Sequence, residues 1–154
     1  MPDGVFENTL REIAAAAPAG SDDWWIIGSG ALKLSRITKE PVRDIDILTT
    51  RKTALAFLAY WDIAATPAVP HPFFRSSPFV QVRRPRLLPI DLLGDMHLYE
   101  NNCWTPLTLK TRNHIVFGSA NVFIPELEEQ LSVLRRFGRP KDLERAALVE
   151  AALN

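Results

Sequence analysis

The sequence predicts a protein of the α/β (α+β) class, with a mixed central β-sheet flanked by helices. Two observations predict this class. Short apolar runs suited to strands alternate with helical repeats along the 154 residues, and a proline-rich middle excludes long helices there. The length fits one domain, so we predict a single domain over 1–154, with its core at about 24–124 and C-terminal helices at 125–153.

The first half of the chain is predicted to contain three helices and two strands. Apolar residues recur at helical spacing before a Pro-Gly-Ser stretch, and WWIIG is a short apolar run that ends in glycine. The segment SGALKLS then suits a turn into a helix. The predicted order is a helix at 5–17, a strand at 24–28, a helix within SGALKLS, a strand at 43–50 and a helix at 51–62 capped by Thr49 or Thr50.

The second half is predicted to contain short strands followed by two helices. Six prolines fall between positions 67 and 89, which leaves room only for short strands. Pro125 and Gly138 bracket one helix, and Pro140 opens the last one. The predicted order is neighbouring strands at 77–84 and 87–94, an irregular stretch at 101–105, one or two strands at 114–118 and 120–124, and helices at 125–138 and 140–153.

Composition sets broad limits on function. The chain is 23% charged, with 18 basic and 18 acidic residues, and this balance argues against a strongly basic nucleic-acid groove. Its one cysteine, Cys103, cannot form an intrachain disulfide. The start of the sequence lacks a basic segment before an apolar core, and no run approaches 18 apolar residues. We therefore expect a cytoplasmic protein without a membrane segment.

Two aspartates in RDIDIL stand out from their apolar surroundings. Successive side chains of a strand point to opposite faces, so Asp44 and Asp46 share one face while Ile45 and Ile47 occupy the other. Two adjacent carboxylates repel, and each resists ionisation unless a cation or hydrogen-bond donors lie between them. The pair therefore predicts a positively charged group at this position.

Two further features complete a candidate site. Gly28-Ser29-Gly30 joins a strand to a helix, where backbone N–H groups can bind a phosphate, and Asp91 lies on the later strand PIDLL. Carboxylates beside a phosphate-binding turn suit Mg²⁺, which proteins hold through a few carboxylates and substrate phosphates. Two such ions could activate an attacking hydroxyl and stabilise a leaving pyrophosphate.

These motifs resemble a known family. The run IIGSGALKLSRITKEPVRDIDIL is similar to the signature of the nucleotidyltransferase superfamily, and PIDLL is similar to its later acidic strand. The ending GRPKDLERAALVEAAL resembles that of minimal nucleotidyltransferases and relatives of AbiEii-type toxins. The resemblance, from about Trp24 onward, implies a nucleotidyltransferase fold. It also implies metal-binding and catalytic roles for Asp44, Asp46 and Asp91, and a triphosphate held by the turn at Gly28, Ser29 and Gly30.

Each motif taken alone also has a purely structural explanation. Glycines occupy many strand-to-helix turns, and an Asp-x-Asp pair often lies on an exposed edge. Lys141 would either reach the nucleotide phosphates or simply follow Pro140 in a helix start that Asp142 caps. The joint occurrence of the three carboxylates in this order favours the functional interpretation.

The expected function is Mg²⁺-dependent transfer of a nucleoside monophosphate from an NTP to an acceptor hydroxyl. The resemblance extends to antibiotic-modifying enzymes and toxin–antitoxin components, so the acceptor would be a small molecule, a protein or tRNA. A homodimer or a small helical partner protein would complete the cleft. The alternative is a catalytically inactive module of the same fold that binds a nucleotide or a partner and acts as a regulator or antitoxin.

Overall fold

The computed structural model describes residues 4–65, 67 and 70–154; positions 1–3, 66, 68 and 69 of the predicted domain lie outside it. The described residues form five helices and nine strands. In chain order these are α1 (Gly4–Ala16), β1 (Trp24–Ile27), α2 (Gly28–Leu34), β2 (Ile45–Thr49), α3 (Arg51–Trp61), β3 (Phe74–Arg75), β4 (Phe79–Val82), β5 (Ile90–Gly94), β6 (His97–Glu100), β7 (Cys103–Pro106), β8 (Asn113–Phe117), β9 (Ala120–Ile124), α4 (Leu127–Phe137) and α5 (Pro140–Leu153).

A four-stranded mixed sheet forms the centre of the protein, in the order β1-β2-β5-β4. The pairs β1–β2 and β4–β5 are antiparallel, whereas β2 and β5 run parallel. The predicted mixed sheet, and the predicted pairing of the two strands in the proline-rich middle, are therefore confirmed. In this register Asp46 lies between Ile27 of β1 and Asp91 of β5.

The two faces of this sheet bury different sets of side chains. Ile45 and Ile47 of β2 belong to the larger core, which includes residues of α1, α3 and the β8–β9 hairpin. Because side chains alternate along a strand, Asp46 and Leu48 point to the opposite face. Leu48 packs there with residues of β1, β5, β6 and α4, in a second and smaller core. The acidic residues therefore lie at the margin of the smaller core.

The predicted irregular stretch at 101–105 is wrong, because β6 and β7 pair there as a hairpin. Only Asn101 and Asn102 separate the two strands, and their φ angles are 51° and 61°. Positive φ at both central residues is what a two-residue hairpin turn of type I′ requires, and asparagine tolerates it better than most residues. The flanking runs HLYE and CWTP are too short and too polar to reveal strands by hydrophobic alternation alone.

The two C-terminal helices begin and end close to their predicted limits. Gly138 ends α4 with a φ of 67°, a left-handed conformation that glycine adopts without steric cost. Pro140 starts α5, and the carboxylate of Asp142 accepts a hydrogen bond of 3.2 Å from the backbone N–H of Arg139. The helix-capping interpretation of Asp142 is thus confirmed. Among the described helices, none is long and apolar enough to cross a bilayer.

Candidate active site

Three aspartates converge at one end of the central sheet. The parallel pairing of β2 with β5 places Asp46 directly beside Asp91. Asp44 was predicted within the strand but lies just before it, since β2 begins at Ile45. One carboxylate oxygen from each residue nonetheless lies within 4.8 Å of the others, and all three residues are partly buried. The structure therefore brings together the three carboxylates that the sequence singled out.

Proximity and burial perturb the central carboxylate. The pKa of Asp46 rises from 3.8 to about 7, first because burial disfavours its charged form and then because Asp91 and Asp44 repel that charge. A hydrogen bond with Asp91 acts in the same direction, and the positive charge of Arg139 opposes it. A bound cation would reverse the effect of the neighbouring carboxylates. Three clustered carboxylates are the hard oxygen donors that Mg²⁺ prefers, so the residues present fit this ion.

Asp91 has an additional partner on the edge strand. Gln81 of β4 pairs with Asp91 in the antiparallel register. Its side-chain Nε2 donates a hydrogen bond of 2.9 Å to Oδ1 of Asp91. This amide orients the Asp91 carboxylate without adding charge. A neutral donor of this kind fixes the direction of a carboxylate that could bind a metal ion.

The glycines of the Gly28-Ser29-Gly30 turn differ in their surroundings. Gly28 has a φ of 68°, and a Cβ atom built there would lie 3.0 Å from Oδ2 of Asp46. Glycine therefore allows both the left-handed backbone and a close approach to the carboxylate. Gly30 is buried, and a Cβ atom there would lie 3.1 Å from Cγ2 of Ile26, so packing within the core already accounts for this glycine. Ser29 is half-buried in the first turn of α2.

The C-terminal helix places two cations near its start. Lys141 is exposed in the first turn of α5. Arg139, which the sequence analysis did not select, carries the positive charge that lowers the pKa of Asp46. The sequence pattern GRPKD does not indicate which of these two charges acts on the aspartates. Only the folded chain shows that it is the arginine whose charge reaches the aspartate cluster.

Comparison with known proteins identifies the fold. No protein-family model matches the chain, and no curated protein matches it. Its structure is similar to the crystal structure, at 1.87 Å resolution, of a "putative nucleotidyltransferase" from Thermotoga maritima. The TM-score is 0.74 and the sequence identity 20%, over 97% of this chain and 92% of that one. The chain therefore has a nucleotidyltransferase fold, as the resemblance of its motifs implied.

Proposed function

We propose that the protein transfers a nucleoside monophosphate from an NTP to an acceptor hydroxyl and releases pyrophosphate. The observation that carries this proposal is the cluster of Asp44, Asp46 and Asp91, whose carboxylate oxygens lie within 4.8 Å of one another in a nucleotidyltransferase fold. The raised pKa of Asp46 supports it, because a cluster so unfavourable without a cation is suited to binding one.

We assign a proposed role to each residue from its position. We propose that two Mg²⁺ ions bind here, and the carboxylates of Asp44, Asp46 and Asp91 would hold them. When bound, Mg²⁺ neutralises phosphate charge and makes a coordinated hydroxyl more acidic. The backbone of the turn at Gly28, Ser29 and Gly30 and the side chain of Lys141 are proposed to contact the phosphates.

The chemical step is a displacement at the α-phosphorus. The acceptor oxygen forms a bond to that phosphorus, the bond to the bridging oxygen of pyrophosphate breaks, and the hydroxyl proton passes to Asp91. Gln81 donates one hydrogen bond to Oδ1 of Asp91, and the carboxylate has further lone pairs that can accept this proton. Positioning of the two substrates supplies much of the rate enhancement in such transfers.

The acceptor is proposed only by class: a small molecule such as an antibiotic, a protein, or tRNA. A role in a toxin–antitoxin pair, a homodimer or a small helical partner, and a cytoplasmic location also remain proposals. The net charge of zero makes an acceptor held mainly through its phosphates less favourable.

A transfer assay tests the proposal directly. Each NTP, labelled at the α-phosphate, is incubated with Mg²⁺ and separate pools of small metabolites, protein and tRNA, and both labelled product and pyrophosphate are quantified. We expect label in one pool, with Asp46→Asn reducing the rate about 100-fold or more because a charge-stabilising group is lost. Asp62→Asn is the matched control, since Asp62 is exposed and has a left-handed φ of 55° that asparagine tolerates.

The same assay separates the inactive alternative from the enzyme. Magnesium-dependent nucleotide binding without label in any pool would favour the non-catalytic binding module of the same fold. Equal rates for the wild type and Asp46→Asn would contradict the proposed site.

A further inference from the structure

We propose that Arg139 binds a phosphate oxygen of the nucleotide, and that Asp142, Phe74 and Phe137 position its guanidinium group for this contact. The inference rests on the proposed function and adds a residue to the site. It identifies the ligand group as a phosphate oxyanion, which a guanidinium binds through paired N–H donors.

A buried carboxylate holds one edge of the guanidinium. Nε of Arg139 donates to Oδ2 of Asp142 at 2.6 Å, and Nη2 donates to Oδ1 at 3.1 Å. The Asp142 side chain is only 1% exposed, whereas that of Arg139 is 43% exposed. The pair is therefore anchored on the carboxylate side and open on the guanidinium side.

Two aromatic rings also lie close to the Arg139 guanidinium group. The guanidinium carbon lies 5.2 Å from the ring centroid of Phe74 and 5.7 Å from that of Phe137. The two rings contact each other edge to face, with centroids 5.5 Å apart. A cation near aromatic rings is attracted by their π-electrons, so the arrangement limits the movement of a long side chain.

Two observations connect the anchored group to the aspartate cluster. Phe137 lines a small cavity together with Ile27 and Gly28. Gly28 is the residue whose Cβ position would approach Asp46 to 3.0 Å. The charge of Arg139 also lowers the pKa of Asp46, which agrees with this placement. A nucleotide whose phosphates reach ions held by the aspartates would thus bring an oxyanion close to Arg139.

Helix capping does not account for the guanidinium. The Asp142 carboxylate already accepts a hydrogen bond from the backbone N–H of Arg139, a contact that any non-proline residue at this position could make. A guanidinium carries five N–H donors, and the contacts with Asp142 use one at Nε and one at Nη2. Nη1 donates no hydrogen bond to any residue within the described part of the chain. The exposed edge is therefore available to an anion.

The test compares two arginine–carboxylate pairs of the same protein. Arg136 also forms a bidentate pair, with Glu100 at 3.0 and 2.8 Å, and Arg136→Gln is therefore the matched control. Calorimetric titrations use each NTP and inorganic tripolyphosphate, all with Mg²⁺. We expect Arg139→Gln to weaken binding of both probes about tenfold or more, the value of a charge-assisted hydrogen bond, and Arg136→Gln to change it less than about twofold.

A second variant separates phosphate binding from folding. Arg139→Gln leaves Asp142 buried without its partner, so the double variant Arg139→Gln/Asp142→Asn removes that charge as well. We expect the double variant to unfold near the wild-type temperature and still bind tripolyphosphate weakly. Wild-type affinity in this folded double variant would overturn the inference.

The outcomes also distinguish this inference from the proposed function. Magnesium-dependent binding that Asp46→Asn abolishes and Arg139→Gln leaves unchanged would overturn the role of Arg139 alone. If the folded wild type binds neither probe, both the inference and the proposed function fail.

Discussion

The two ends of the β1–β2 strand pair each carry aspartate in very different surroundings. At one end, Asp23 precedes β1, and its carboxylate accepts hydrogen bonds from the hydroxyls of Thr50 at 2.8 Å and Thr53 at 2.9 Å. Its backbone oxygen accepts a further bond of 2.7 Å from the hydroxyl of Thr49. All of these hydrogen bonds form within the chain, and they attach the start of α3 to the sheet.

The other end places Asp46 among carboxylates instead of hydroxyls. Asp44 and Asp91 raise its pKa, a Cβ atom at Gly28 would lie 3.0 Å from its Oδ2, and the side-chain amide of Gln81 donates to Asp91. Asp23 accepts hydrogen bonds from donors that the chain itself supplies. The cluster at Asp46 instead places carboxylates side by side, and we propose that a cation binds there.

The largest expected effect on stability comes from removing the charge of Asp46. In metal-free protein, Asp46→Asn should raise the free energy of unfolding at pH 8 by at least about 1 kcal/mol. The upper bound is roughly 4 kcal/mol. It follows from the rise in the pKa of Asp46 from 3.8 to about 7, since one pKa unit corresponds to about 1.4 kcal/mol. Denaturant unfolding with EDTA, for wild type and variant at several pH values, measures this difference.

The sign of the pH dependence follows from the raised pKa. Between pH 3.8 and about 7, folded Asp46 keeps a proton that the unfolded chain releases, so its contribution to wild-type stability falls as pH rises. The gain in free energy of unfolding from Asp46→Asn should therefore be near zero at pH 4 and reach its full value at pH 8. A variant that is less stable than the wild type at pH 8 would contradict the account.

At the other end of the strand pair, removing an aspartate carboxylate should instead lower the free energy of unfolding. Asp23→Ala removes the acceptor of the Thr50 and Thr53 hydroxyls, and we expect a loss of about 1–3 kcal/mol. Mg²⁺ should not alter this loss. Thermal unfolding with and without Mg²⁺ checks both points, and an Asp23→Ala protein as stable as the wild type would remove the distinction between the two ends.

A smaller effect is expected at the turn beside the cluster. Gly28→Ala introduces a side chain at a φ of 68° and within 3.0 Å of Oδ2 of Asp46. The left-handed backbone alone should cost about 1–2 kcal/mol. The displaced carboxylate should also weaken Mg²⁺-dependent nucleotide binding. Unfolding and calorimetry together measure the change, and unchanged nucleotide affinity would show that the close approach is unimportant.

Much of this architecture could be predicted from the sequence because its signals are local. The apolar runs around Ile26 and Ile47 predict strands, and Pro140 and Gly138 mark helix ends. The hairpin at Asn101 and Asn102 could not be predicted in the same way, because its strands are too short to show an apolar pattern. Its turn depends on positive φ angles at both asparagines, which the sequence does not reveal directly.

The candidate site was only partly visible in the sequence. Period-two spacing predicts that Asp44 and Asp46 share a face, and Asp91 is predicted from its place on the later strand PIDLL. Gln81 and Arg139 lack such a signal, because the proposed role of each depends on a residue from another element. That residue is Asp91 for Gln81 and Asp46 for Arg139. Contacts of this kind depend on strand register and on how α5 packs.

The most direct test of the central claim is calorimetric titration of each NTP into wild type and Asp46→Asn, with and without Mg²⁺. We predict that the wild type binds at least one NTP only when Mg²⁺ is present, and that Asp46→Asn, although at least as stable, loses this binding. Nucleotide binding that is independent of Mg²⁺ and equal in the two proteins would contradict the claim that the three aspartates form the metal and nucleotide site.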